Sequence, residues 1–352
     1  MIEPTLREDL RATSRAFYLS LVFLPRAVRP AIALAYALAR AADTIADTTI
    51  VPPERRLDHL DRLLAAVGGD SPAALEASVT VDLAGAQGDP GERRLLGNLA
   101  RHLGLLAALD PTDRGLVEEV LRVLVGGMKL DLCRFERPAA LDDRAELRDY
   151  CFRVAGVVGE FWTAVHAAHL TDYARYPAAA MKASGVRFGN GLQLTNILRD
   201  LPRDLAIGRC YLPREDLARH GLAPAELALP GSGGRLRPLF LELIGMAVED
   251  YSHGFAYTLS VRRRHLRSRL CCALPLLIGI ETLGLLALRT DPLDPTVTIK
   301  IGRGRVRRLL GRALLAVGSD RALETAFRRT LRSAGFEAAA ESPFPTPGEE
   351  AR

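Results

Sequence analysis

Apolar residues recur at helical spacing along almost the whole chain, and no run of alternating β-branched residues is long enough to build a sheet. The runs are rich in Ala, Leu and Arg, side chains that lose little freedom in a helix. Breakers punctuate them at Pro52-Pro53, Gly68-Gly69, Asp89 to Gly91, Asp110-Pro111, Pro177, Pro230 to Gly234 and Asp291 to Pro295. Ser71-Pro72 and Asp110-Pro111 read as helix starts, with Pro in the first turn. No fixed period repeats, which argues against a solenoid, and no linker is long enough to separate two domains. The expectation is an all-α fold, one domain over residues 1–337. Residues 338–352 are Glu-, Pro- and Ala-rich and read as a disordered tail.

Charge narrows the partners. Lys and Arg number 47 against 42 Asp and Glu, a net +5, and the basic residues are scattered. A nucleic-acid surface would need a dense basic face with interleaved aromatics; only Arg262-Arg263-Arg264 and the Arg303 to Arg308 group cluster, so no nucleic acid is expected. The five cysteines are odd in number and lack a CxxC spacing, which disfavours a disulfide framework or zinc site and favours a reducing compartment. The first residues carry acids and no apolar signal core. Leu270 to Leu288 is the one span candidate; with Pro275, Glu281 and Thr282 inside it, a buried core helix is the better reading, although contact with a membrane surface is compatible.

Between Ala31 and Asp47 nearly every residue is small and apolar except Tyr36, Arg40, Asp43 and Asp47, spaced by 4, 3 and 4. At about 100° per residue these fall on one narrow face. Gln193, Asn196, Asp200 and Asp204 repeat the design with spacing 3, 4 and 4, flanked by Leu192, Leu194, Ile197 and Leu198. Such a stripe should face an internal cavity, and its charges need partners. Aspartates one turn apart repel. Either neighbouring arginines neutralise them (Arg40 for the first pair, Arg199 or Arg203 for the second) or they hold a cation. Two pairs, each continuing a polar stripe, favour the second. Carboxylates one turn apart suit Mg²⁺, a hard ion that keeps waters and binds substrate phosphates, which implies a diphosphate leaving group.

The segment Tyr150 to Trp162 places Gly156 and Gly159 inside a helix, where each costs about 1 kcal/mol against Ala. Close helix packing and room for a long apolar ligand both explain them. Spacing alone makes Tyr150 a core tyrosine.

Taken together, these stretches resemble the squalene/phytoene synthase family, the head-to-head prenyl diphosphate synthases. The matching segments are Ser14 to Tyr18, Leu24-Pro25, Tyr36 to Asp47, Tyr150 to Gly159, and Gln193 to Asp204 followed by Gly208-Arg209-Cys210-Tyr211-Leu212-Pro213. The resemblance implies an isoprenoid synthase fold around a central cavity. It implies that Asp43, Asp47, Asp200 and Asp204 hold Mg²⁺, or Mn²⁺ in its place, against the diphosphates. Arg40, Arg199 and Tyr36 would contact phosphate, Gln193 and Asn196 would line the same face, and Ser14 would lie near a diphosphate. Tyr150 takes the position of the family's catalytic tyrosine. The first motif has one leading aspartate, a departure from chain-elongating synthases that favours head-to-head condensation.

Thr298 to Gly304 resembles the segment of squalene synthases that binds NADPH phosphate, through Lys300 and Arg303; a basic solvated turn is the plainer explanation. No G-x-G-x-x-G follows a strand, so a nicotinamide site would not be a Rossmann one. The expected activity is condensation of two farnesyl diphosphates through a cyclopropyl diphosphate, then reduction by NADPH to squalene. The alternatives are a phytoene, dehydrosqualene or hydroxysqualene synthase without a reductant, and a silent isoprenoid- or membrane-binding helical protein. A cytoplasmic monomer with peripheral membrane contact is expected, because the product is insoluble in water and the surface mildly basic.

Overall fold

The breakers and caps seen in the sequence set the helix ends. The computed structural model describes residues 2–14, 18, 21–134 and 139–347. It is 75% helical with few strands, an all-α fold. Two compact units are formed, Met1–Arg134 with Ala164–Thr171, and Phe135–Thr163 with Asp172–Arg352.

The first unit holds α1 (Pro4–Thr13), α2 (Arg29–Asp47), α3 (Pro53–Val67), α4 (Ala73–Val79), α5 (Pro90–Gly97), α6 (Leu99–Ala107) and α7 (Pro111–Arg134). Asp89 caps α5, its Oδ1 accepting from Gly91 and Glu92 N–H at 2.8 and 2.9 Å. Asp110 caps α7, accepting from Thr112 and Asp113 N–H at 3.0 and 3.1 Å. These caps satisfy donors that a helix start leaves free. Helix α2 packs against α1, α3, α5, α6 and α7. The fully buried Asp9 carboxylate ties α1 down, receiving Arg94 at 2.7 Å and Asn98 Nδ2 at 2.9 Å.

The second unit holds β1 (Ala139–Leu141), α8 (Arg144–Cys151), a π-helical turn Phe152–Gly156, the start of α9 (Val157–His169), α10 (Ala178–Ala206), β2 (Arg209–Pro213), α11 (Arg214–Arg219), α12 (Ser232–Ser260), α13 (Leu266–Ala287), α14 (Arg303–Ala316), α15 (Asp320–Ser333) and α16 (Glu337–Glu341). The strands β1 and β2 pair in parallel, Ala139 with Arg209 and Ala140 with Cys210. Helices α10 and α12 form the main packing pair, and α13 joins α12 to α14 and α15. The apolar helix α13 is long enough to cross a membrane, but 67% of its apolar window is buried. Leu276, Ile280, Leu283 and Leu286 are core residues.

The tail differs from the sequence expectation. Residues 337–341 form α16, and the Phe344 ring lies 4.6 Å from Phe255 and 5.4 Å from Phe327. The Arg328 guanidinium sits over that ring at 4.2 Å. One aromatic side chain with an apolar and a cationic partner anchors a stretch whose average composition is polar. Residues 348–352 lie outside the described residues.

Candidate active site

Helix α2 carries the first stripe. Of its residues, Ala31 to Ala35, Ala37, Leu38, Ala41, Ala42 and Thr44 to Ala46 are buried, while Tyr36, Arg40 and Asp43 are half-buried and Asp47 is exposed. The polar face predicted from spacing is therefore the open face of the helix. Arg40 donates from Nη1 to Asp43 at 2.5 Å and from Nη2 to Glu92 at 2.6 Å. Gln87 Nε2 donates to the other Glu92 oxygen at 3.1 Å. Glu92 stands in the first turn of α5, and nothing in the sequence linked it to Arg40, 52 residues away. Burial, and then the Asp47 charge, push the Asp43 carboxyl above its ordinary range, against the pull of Arg40. A carboxylate pair with residual like-charge repulsion is a donor set for a cation. Ser14 follows α1 as its C-cap, half-buried, its N–H bonded to Leu10 O at 3.0 Å. Arg15, Ala16 and Phe17 of the same segment lie outside the described residues.

Helix α10 carries the second stripe. Gln193, Arg199, Asp200 and Asp204 are half-buried and Asn196 is exposed, between buried Leu194, Thr195, Ile197, Leu198 and Leu201. Arg199 grips Asp200 with two bonds, Nε to Oδ1 at 2.8 Å and Nη2 to Oδ2 at 2.6 Å. These bonds raise the Arg199 guanidinium above its ordinary range. The buried rear of the stripe is pinned where Thr195 Oγ1 meets the Tyr251 hydroxyl at 2.8 Å. In each stripe the first aspartate thus has an arginine partner, as neutralisation alone also requires.

Tyr150 ends α8 half-buried, and its ring stacks on Tyr211 of β2, centroids 4.7 Å apart. The parallel strand pair and the Gly208 turn, at φ 81°, present Tyr211 for this contact. Tyr211 was visible in the sequence as part of a motif, without a role. The π-turn follows at Phe152, and such turns gather at functional positions. Beyond it, glycines of α9 and of the preceding turn meet glycines of α10. A β-carbon on Gly189 would stand 2.5 Å from the Ala155 carbonyl oxygen, and one on Gly156 2.5 Å from Asn190 Oδ1. Close helix packing accounts for both Gly156 and Gly159.

Lys300 and Arg303 are exposed, before and at the first residue of α14. Lys300 lines a pocket of about 540 Å³ with Arg305, Arg332 and Ser333 and the apolar Leu285 and Leu288; Arg303 is not among its lining residues. Arg305 is held by Glu281 of α13, Nε to Oε2 at 2.9 Å and Nη2 to Oε1 at 2.8 Å. A separate group, Asp110, Asp113 and His169, has its ligand atoms within 4.8 Å of one another. The α7 cap and the His169–Asp113 bond of 2.8 Å explain it.

Comparison with known proteins places these motifs in a family. A family model, squalene/phytoene synthase, matches residues 10–305. The chain belongs to that family, whose members are prenyltransferases that join prenyl diphosphates head to head. It is 30% identical over 294 residues to a phytoene synthase of Mycobacterium bovis, covering 80% of each chain. It is 31% identical over 243 residues to a presqualene diphosphate synthase of Zymomonas mobilis, 68% of this chain and 70% of that one. With a bifunctional lycopene cyclase/phytoene synthase of Phaeosphaeria nodorum it shares 28% identity, but spans 42% of that protein's length. In structure it is similar to a ligand complex of TcSQS, TM-score 0.75 at 20% identity, covering 96% of this chain and 99% of the other. That likeness carries the fold.

Proposed function

We propose that the chain condenses two farnesyl diphosphates through a cyclopropyl diphosphate and reduces that intermediate with NADPH to squalene. The observation that carries this reading is the pair of aspartate–arginine stripes, each standing half-buried or exposed beside buried apolar residues of its own helix. The donors fit Mg²⁺, because each stripe offers two carboxylates one turn apart beside groups that bind phosphate. Asp43 and Asp47 would hold it in the first unit, and Asp200 and Asp204 in the second. When bound, the ion offsets the charge of the departing diphosphate.

The chain's own groups do the rest. Arg40 and Arg199 offer planar guanidiniums that match phosphate oxygens two at a time. Each is now bonded to a carboxylate of its own stripe, so an arriving phosphate exchanges one anionic partner for another. Tyr36, Gln193, Asn196 and Ser14 supply hydrogen bonds to the diphosphates. Tyr150, its ring fixed on Tyr211, passes on the proton lost as the cyclopropane closes or steadies the cation. Lys300 and Arg303 would meet the phosphates of NADPH, which when bound would supply the hydride for the final cation. The overall balance is two farnesyl diphosphates and NADPH giving squalene, two diphosphates, NADP⁺ and a proton.

A second reading, without a reductant, has support in the relative named a phytoene synthase, while the one named a presqualene diphosphate synthase supports the cyclopropyl intermediate common to both readings. In that case the last cation is quenched by proton loss or water, to phytoene, dehydrosqualene or hydroxysqualene. The insoluble product and the basic surface also favour a cytoplasmic monomer in peripheral contact with the membrane. Incubation of the purified protein with farnesyl or geranylgeranyl diphosphate and Mg²⁺, with and without NADPH, tests the proposal. Squalene that forms only with farnesyl diphosphate and NADPH supports it. A hydrocarbon or hydroxysqualene made equally well without NADPH selects the second reading, and no diphosphate release from either substrate defeats both.

A further inference from the structure

Helix α14 has an outer face of unusual composition. It carries the exposed Arg303, Arg307 and Arg308, and the helix holds no acid; Arg305 and Arg312 are half-buried and turn toward Glu281 and Thr330. Arg305 is paired with Glu281, but Arg303, Arg307 and Arg308 have no ion pair among the described residues. Two turns further along the same face stand Leu314 and Leu315, 48% and 90% exposed. Arg307 and Leu314, and Arg308 and Leu315, are each seven residues apart, which returns to the same face after about 10 Å of rise. The helix therefore presents a leucine tip with an arginine belt one headgroup depth behind it.

The surroundings repeat the pattern. The Arg269–Asp320 pair, at 2.7 Å, sets the turn between α14 and α15 beside the start of α13. There Leu266 is 44% exposed, and Arg267 and Arg321 are exposed and without an ion pair among the described residues. Of the acids at this end, Asp320 is neutralised by Arg175, Arg263 and Arg269, and Asp172 by Arg262 and Arg264.

We infer that this end of the second unit docks on an anionic bilayer. Leu314 and Leu315 enter the acyl boundary, and Arg307 and Arg308 meet lipid phosphates. Burial of apolar side chains to 5–10 Å beneath a basic rim is how peripheral helices hold a membrane, and charge complementarity selects the anionic leaflet. The inference rests on the membrane contact proposed above and names the surface that makes it.

The experiment is co-sedimentation of the full chain with phosphatidylcholine vesicles, with or without about one quarter phosphatidylglycerol. The wild type should bind the anionic vesicles and release them as salt rises. The double variant Leu314→Ser/Leu315→Ser should bind about 100-fold more weakly, and Arg307→Ser/Arg308→Ser about 10-fold or more. Both should release diphosphate from soluble substrate at the wild-type rate. In Leu315→Trp, emission should shift to the blue when anionic vesicles are added, a readout that does not depend on lost binding. Wild-type binding that both double variants retain overturns this surface and leaves the membrane reading standing. A wild type that binds neither vesicle overturns both. A protein dimer that the leucine variant dissociates, with no vesicle binding, assigns the face to a second copy and overturns the inference.

Discussion

A β-carbon on Gly159 would lie 2.1 Å from the carbonyl oxygen of Gly185, so α9 and α10 touch backbone to backbone in the second unit. The nearest atoms are main chain, which cannot rotate away. Gly159→Ala should therefore cost about 3 kcal/mol of stability through overpacking. Gly104, on the exposed side of α6, has nothing within 4 Å of its β-carbon position. Gly104→Ala should stabilise by about 0.5 kcal/mol by removing backbone freedom from the unfolded chain. Urea midpoints of the two variants check the pair; equal shifts would contradict the packing assigned to Gly159.

The contrast also shows what the sequence carried. The first stripe was legible because a charged residue stands out on a helix that is otherwise mostly Ala, Leu and Ile, and the second because Leu192, Leu194, Ile197 and Leu198 flank it; spacing alone puts Arg40 and Asp43 on one face. The glycines were visible but their reason was not, since packing and empty space leave the same trace. Glu92 and Tyr211 were illegible as partners because each reaches its neighbour through the fold. Phe344 was missed for a related reason: one well-placed ring outweighs the polar average around it. The two short strands went unseen because three and five residues carry no measurable alternation.

The metal assignment predicts loss of chemistry without loss of fold. Asp43 and Asp200 are not core residues, so Asp43→Asn and Asp200→Asn should keep the far-UV circular dichroism of the wild type. Diphosphate release should fall by about 100-fold or more, the scale of removing one electrostatic partner of a transition state. Calorimetric Mg²⁺ titration in the presence of diphosphate should show weakened binding in both. Full turnover by both variants at saturating Mg²⁺ would remove the carboxylates from the site.

Tyr150→Phe separates the hydroxyl from the ring. The ring keeps its stack on Tyr211, so the urea midpoint should move little, by less than about 1 kcal/mol in stability. If the hydroxyl handles the proton, closure of the cyclopropane should slow while farnesyl diphosphate binds as before. Tyr211→Ala should instead lose stability first. A Tyr150→Phe enzyme with unchanged turnover would return Tyr150 to the core.

Lys300→Ala tests the reductant. The first condensation should proceed at the wild-type rate, and the cyclopropyl diphosphate or unreduced hydrocarbons should accumulate. The NADPH-dependent step should weaken about 10-fold, as expected for one charged contact. Squalene output unchanged at limiting NADPH would show that this basic loop serves another purpose.

Asp320 predicts a pH dependence of stability. Burial pushes its carboxyl up, but Arg263, Arg175 and Arg269 together bring it well below the ordinary carboxylate range. A carboxyl with a lowered pKa binds its proton more readily in the unfolded chain. Its contribution is therefore complete above the unfolded value of about 4 and is lost as pH falls below it. Arg269 is fully buried, and Asp320 is its ion-pair partner at 2.7 Å. Asp320→Asn should cost about 3 kcal/mol at neutral pH, because it leaves a buried guanidinium without its counter-charge. The gap between wild type and variant should hold from pH 7 to about pH 5 and narrow steadily on further acidification. Urea unfolding of both proteins across that range measures it. A gap that stays constant down to pH 2 would mean that Asp320 acts through shape and not through charge.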